Sequence, residues 1–176
     1  MRHKTDCRIL PLRHLMGMMK LALAITLTAM PFSGQADIRG KVVRILDGDT
    51  IEILQDNGER ARVRLNGIDA PEKGQPFGQR SRQALTTLTA GKRVHVEGNN
   101  RDRYSRLLGT VWYGSTDINA AQIINGMAWA YRYRGKSMVP AYADLEETAR
   151  KNRSGLWAEP APVEPWRWCK NQSSDK

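Results

Sequence analysis

Between residues 42 and 65 apolar and polar positions alternate in three short bursts, the period of half-buried β-strands. Val42, Val43, Ile45 and Leu46 form the first burst, Asp47-Gly48-Asp49 turns the chain, and Ile51, Ile53 and Leu54 read as the antiparallel partner. Asp56-Asn57-Gly58 supplies residues that tolerate the positive φ of a tight hairpin. In the third burst Arg60, Arg62 and Arg64 alternate with Ala61, Val63 and Leu65. One face of that strand is therefore apolar and the other is a row of guanidiniums.

From residue 79 the period lengthens. Ala84, Leu85 and Leu88 share one side of a helix predicted over 79–88, and Gly91 is placed to stop it. Strands follow over 93–97 and 107–113. A second helix over 119–125 ends at Gly126, and a third over 139–151 carries Tyr142, Leu145 and Ala149 on its inner side. Five short strands with helices between and after them predict an α+β fold. Its expected form is a five-stranded OB-type β-barrel with about three packed α-helices, in which ligands bind across the barrel face and its loops. Past Trp157 the prolines at 160, 162 and 165 read as an extended, linker-like tail over 159–176. Trp166-Arg167-Trp168 within it either docks on the body or stays free, and the sequence assigns it no function.

Residues 1–36 read as a leader rather than as part of this fold. Arg2, Lys4, Arg8, Arg13 and Lys20 precede an apolar run over 21–30, and Gly34-Gln35-Ala36 places small residues before a cleavage point, the order of a secretory signal peptide. The run is shorter than the roughly 20 residues a spanning helix needs. The expected product is an exported protein, periplasmic or extracellular, whose single domain covers 37–158. Cleavage after Ala36 takes Cys7 with it and leaves Cys169 alone, so neither an internal disulfide nor a cysteine-rich zinc site is expected.

Charge sharpens the choice of partner. The 176 residues hold 28 Lys+Arg against 18 Asp+Glu, a net charge of +10. Losing the leader removes five basic residues and one acidic residue, leaving 23 and 17 and a net charge of +6. A polyanionic partner follows as the default, on a signal that many solvated basic surfaces share.

The acids at the strand ends give this charge a chemistry. Asp49 and Asp69 come from different strand ends, and two carboxylates brought together repel unless a cation lies between them. Oxygen-only ligands of this kind suit Ca²⁺ or Mg²⁺. Glu72 follows Pro71 and is a candidate general base toward water. Arg64 and Arg106 are candidates to hold a phosphate and its developing charge. Each also has a plainer reading, since Asp-Gly is a common turn dipeptide and surface arginines are common. His95 between Val94 and Val96 reads as an ordinary strand residue.

Joint spacing separates these readings. Asp47-Gly48-Asp49-Thr50, then Arg64-Leu65-Asn66-Gly67-Ile68-Asp69-Ala70-Pro71-Glu72, then Asp102-Arg103-Tyr104-Ser105-Arg106 resemble the staphylococcal nuclease family, the thermonucleases. The resemblance runs from about residue 40 to 157 and includes Ala130-Tyr131-Arg132-Tyr133 and Asn152-Arg153-Ser154-Gly155-Leu156-Trp157. It implies an enzyme that uses Ca²⁺ to hydrolyse phosphodiester bonds of DNA and RNA, endonucleolytically or from exposed ends, leaving 3′-phosphates. It places metal carboxylates at Asp49 and Asp69, a carbonyl ligand at Ala70 where threonine is frequent, catalytic roles at Glu72, Arg64 and Arg106, and nucleotide contacts at Tyr104, Tyr131 and Tyr133. Ser105 and Leu107 stand where the resemblance implies a glycine-rich turn. A monomer is expected. The competing classes are an OB-fold module that binds nucleic acid or another polyanion without cutting it, and a secreted protein whose acids bind calcium only for folding.

Overall fold

The structure is a computed structural model that describes residues 37–174. The leader expected over 1–36 lies outside the described residues. Strands β1 (Asp37–Ile45), β2 (Thr50–Gln55) and β3 (Arg60–Leu65) form an antiparallel meander. A short β4 (Ile68–Asp69) leads through a loop to helix α1 (Gly78–Thr89). Strands β5 (Arg93–Arg101) and β6 (Leu107–Tyr113) pair with each other, and β5 also pairs with β1. A parallel pairing of β3 with β6, Val63 opposite Leu107 and Leu65 opposite Gly109, joins the two ends of this sheet. Five strands thereby close into the expected barrel and leave no long edge unpaired.

The alternation seen in the sequence faces where it must. Ala61, Val63 and Leu65 are buried with Ile51, Ile53, Val96 and Val111, while Arg60 and Arg62 stay exposed. Each fully buried aliphatic side chain contributes about 1.5–3 kcal/mol. Strand β5 runs past the expected end at residue 97. A register shift between Glu97 and Asn100 bends it, and a Cβ at Gly98 would lie 2.1 Å from the Leu108 carbonyl oxygen. Glycine there permits the close approach of β6.

Short β7 (Thr116–Asp117) leads into α2 (Ile118–Ile124), capped by the Asp117 carboxylate, which accepts the Ala120 N–H at 2.9 Å. Two-residue β8 (Trp129–Ala130) pairs with β4, and β9 (Arg132–Tyr133) with β10 (Lys136–Ser137). Helix α3 (Pro140–Lys151) buries Tyr142 and Ala149. A second core cluster forms from Trp129, Ala149, Leu156 and Trp157 with Phe77 packed against it, the two indoles 5.4 Å apart and edge to face.

The tail departs from the extended reading. Pro165–Ser174 is a helix, α4, and the segment before it docks on the body through the Gln75 Nε2–H, which donates to the Val163 carbonyl at 2.6 Å. Proline at the first helical position removes an N–H that the helix could not satisfy, so Pro165 starts a helix here rather than preventing one. Among the described residues no helix is long and apolar enough to cross a membrane.

Candidate active site

The turn between β1 and β2 is built by its own acids. Asp47 accepts the Asp49 N–H at 3.0 Å, Asp49 accepts the Thr50 hydroxyl at 3.0 Å, and Asp49 also accepts the Ala70 N–H at 2.9 Å across 21 residues of chain. A Cβ at Gly48 would fall 1.9 Å from Ser81 Oγ and 2.8 Å from Ala70 Cβ. Only glycine lets this turn lie against α1 and the loop after β4. Gln122, fully buried on α2, donates to the carbonyls of Gly48 at 2.7 Å and Ser81 at 3.2 Å. Helix and turn are thereby fixed together.

Arg64 sits where β3 meets both β2 and β6, opposite Thr50 and Leu108. Its guanidinium pairs with Asp49 and, at 2.9 Å, with Asp69. Burial disfavours its charge, but the two carboxylates outweigh this and raise its pKa further above the usual arginine range. Asp69 is pushed up to about 6, first by burial and then by the charge of Asp49, against the pull of Arg64. Asp47 is likewise pushed up to about 6 by burial and by Asp49.

Glu72 lies on the loop after Pro71, its N–H donated to the Gln75 side chain at 3.1 Å. Gly78, at the start of α1, packs so closely on this loop that a Cβ would lie 2.1 Å from the Glu72 carbonyl oxygen. Arg106 is set by the turn before it. Asp102 accepts the Tyr104 and Arg106 N–H groups at 2.9 and 3.0 Å and grips the Arg106 guanidinium at 2.7 Å. Burial works against the Asp102 charge, but the N–H donors and Arg106 hold its pKa below the usual carboxylate value. Ser105 takes a left-handed φ of +61° at the position where the resemblance implies glycine.

Asp47, Asp49, Arg64, Ala70, Pro71, Glu72 and Arg106 line one small pocket of about 150 Å³. Asp69 adjoins it through Arg64 and lines a neighbouring groove with Tyr131. Tyr104 is 63% exposed, its ring flanked by the guanidiniums of Arg103 at 4.8 Å and Arg106 at 5.4 Å. Tyr133, also exposed, lies under Arg134 on the β9–β10 hairpin. Tyr104 thus lies beside Arg106, and Tyr131 lies in the groove that holds Asp69, while Tyr133 lines neither that groove nor the small pocket. His95 is paired with Asp37 on the barrel wall and also stands outside that pocket.

The family described as staphylococcal nuclease homologue matches residues 62–159. The chain belongs to this family. Micrococcal nuclease of Shigella flexneri is 50% identical over 142 residues, 76% of this chain and 81% of that protein. Protein ParB of Escherichia coli is 43% identical over 167 residues, 90% of this chain and 94% of the relative. An uncharacterized endonuclease of Escherichia coli O157:H7 is 44% identical over 135 residues, 76% and 86% of the two chains. The protein is a nuclease, a phosphodiester hydrolase with nucleic acid as substrate, and the staphylococcal nuclease family is generally metal-dependent.

The donor set of this nuclease suits a hard cation. Buried carboxylates whose pKa values are raised by burial and by one another are relieved by positive charge, and they offer oxygen rather than sulfur or nitrogen. Among the described residues no three Asp, Glu, His or Cys side chains enclose an ion by themselves. Asp47 and Asp49 in the pocket and Asp69 beside it are the carboxylates that could hold such a cation.

Sequence reasoning missed the residues that hold the site from behind. Glu146, 1% exposed on α3, accepts the Ala130 N–H at 2.7 Å and pairs with Arg132 at 2.9 Å and Arg150 at 2.7 Å. Asn119 donates to the Asn66 and Gly109 carbonyls at 2.9 and 3.2 Å. Gln122 does the same for Gly48. Polar residues on otherwise apolar helix faces were the available signal, and periodicity discards it. Asp47 had a stronger signal, standing two residues from Asp49 in the same turn.

Proposed function

We propose that this protein is a secreted, calcium-dependent nuclease that cleaves DNA and RNA endonucleolytically and leaves 3′-phosphates. The observation that carries the reading is convergence. Asp49, Arg64, Glu72 and Arg106, separated by up to 57 positions in the chain, line one pocket, with Asp69 bound to its Arg64. A module that only held phosphate would gain nothing from a cluster of acids facing it.

The roles follow from position. Asp49, Asp69 and the Ala70 carbonyl are the groups that would hold calcium, which supplies positive charge to the scissile phosphate and acidifies a water beside it. Glu72 orients a water for in-line attack and takes its proton. Arg64 on β3 and Arg106 just before the neighbouring β6 both reach the pocket and donate to the phosphoryl oxygens as negative charge develops. The attacking oxygen bonds to phosphorus, the bond to the 5′ oxygen breaks, and that oxygen takes a proton from solvent water as it leaves, while Glu72 later releases its own proton to solvent. Tyr104, Tyr131 and Tyr133 flank the nucleotide.

The proposed protein is exported after cleavage of residues 1–36, with 37–158 as the catalytic domain and 159–176 as its tail, and it works as a monomer. The order of basic lead, apolar run and small residues supports export. The deciding experiment follows labelled single- and double-stranded DNA with the chain from Asp37 onward, in Ca²⁺, in Mg²⁺ and in chelator, beside a Glu72→Ala variant. Calcium-dependent cleavage that the variant loses is the expected result. Binding without cleavage under every metal would replace this reading with that of a nucleic-acid binding module.

A further inference from the structure

The segment after residue 159 lies past the family match, yet it is packed against the catalytic face. Gln75 donates to Val163, Pro165 is buried, and Trp168 lines an apolar hollow with Phe77, Trp129 and Leu156. Gln75 is also the residue that accepts the Glu72 N–H, so the tail is tied to the loop carrying the candidate base. Cys169 Sγ comes within 3.6 Å of Glu72 Oε1. No tail residue lines the small acid–arginine pocket, so α4 does not plug it.

What the tail does is wall a second groove. This groove measures about 560 Å³, within the 300–1,000 Å³ range of small-ligand sites. Asp69 lies in it, linking it to the pocket through Arg64. Tyr131, Arg132 and Arg134 line it from the barrel side, Glu164 and Trp166 from the tail. Both acids are already engaged, Asp69 by Arg64 at 2.9 Å and Glu164 by Arg167 at 3.3 Å. Trp166 remains 58% exposed, an indole with the Arg167 guanidinium 5.1 Å from its ring centre, in the groove that also holds Asp69. Aromatic faces among guanidiniums are what a nucleobase with its phosphate binds best.

We propose that the C-terminal helix forms one wall of a nucleobase subsite, in which Trp166 stacks an unpaired base of the strand flanking the scissile phosphate. The proposal rests on the nuclease reading of the adjoining pocket. A base held in a duplex hides both faces in the stack, so the subsite favours single strands. Trp166 is thereby a specificity-determining residue that lies outside the family domain.

The test is binding, separated from cleavage. Glu72→Gln and Glu72→Gln/Trp166→Ala chains are titrated in chelator with a labelled single-stranded oligonucleotide of about a dozen nucleotides, within the span such surfaces cover, and with the matching duplex. The expected result is about tenfold weaker single-strand binding on loss of Trp166, the scale of one lost base–aromatic stack, with a smaller change for the duplex. Trp166→Phe, which keeps a ring, restores most of the affinity. Equal loss for both substrates, no loss, or tighter binding overturns the subsite, the last by making the tail a barrier. A Glu72→Gln parent that binds no single strand overturns it too. Failure of the nuclease reading shows separately, as absence of metal-dependent cleavage by the unsubstituted protein.

Discussion

Arg64 and Arg106 face the same pocket but are held there in opposite ways. Arg64 is gripped by carboxylates from two other elements, Asp49 on the β1–β2 turn and Asp69 on β4, in a largely buried setting. Arg106 is gripped by Asp102, four residues earlier in its own turn, and that turn would make the same contacts almost anywhere. One guanidinium belongs to the tertiary structure and the other to a local motif. The contrast implies that the position of one guanidinium depends on the whole fold and that of the other on its own turn.

The largest effects are expected in turnover. Arg64→Ala and Arg106→Ala should each lower kcat on single-stranded DNA by about 10²–10³, the usual cost of removing one donor to a developing charge. Measured at saturating calcium, a loss confined to KM for either would remove that arginine from the transition state. Stability should then divide the pair. Without Arg64 two buried carboxylates lack their counter-ion, and urea unfolding of the metal-free protein should show a loss of about 3 kcal/mol. Arg106→Ala should cost less, about 1 kcal/mol, since it removes one partner of a local i,i+4 pair and Asp102 keeps its two N–H donors. Equal losses would erase the contrast.

A pH series probes the Arg64 side alone. The Asp69 carboxyl, pushed up to about 6 in the fold, releases its proton near 3.9 when unfolded, so between those values the folded chain binds more protons. Metal-free stability should therefore fall, relative to Asp69→Asn, as pH rises from about 4 to about 6, and then level off. The expected swing is about 3 kcal/mol in urea midpoints converted to free energy, from about two pKa units at about 1.36 kcal/mol each. A difference that grows in the opposite direction would mean that Arg64 overcomes burial at Asp69. The smallest effect belongs to the local side. Ser105→Gly relieves a left-handed φ of +61° and should stabilise the chain by about 0.5–1 kcal/mol in thermal unfolding, with Arg106 still gripped by Asp102.

Much of this was legible in the chain. The alternation over 60–65 put Ala61, Val63 and Leu65 inside and Arg60 and Arg62 outside, as found, while Arg64 is drawn in by its two carboxylates. Gly91 and Gly126 both take positive φ just past the helices they were expected to stop. The site motif was readable because Asp47-Gly48-Asp49 and Asp102 through Arg106 are short turns whose own side chains satisfy their own backbone. The tail was misread, since three prolines argued for extension while Pro165 in fact occupies the one helical position that favours it.

Local sequence determined the strands, the turns, the helix ends and the types of residue offered to a phosphate and a cation, because each depends on neighbours a few positions away. Only the tertiary structure decided that β3 pairs with β6, that Arg64 is held by Asp49 and Asp69, and that Glu146 and Gln122 are buried to fix the loops around the pocket. It also decided that α4 stands as a wall beside the site. Those contacts join residues far apart in the chain. Their free energy comes from burial and from satisfying buried charges, quantities that no single segment carries by itself.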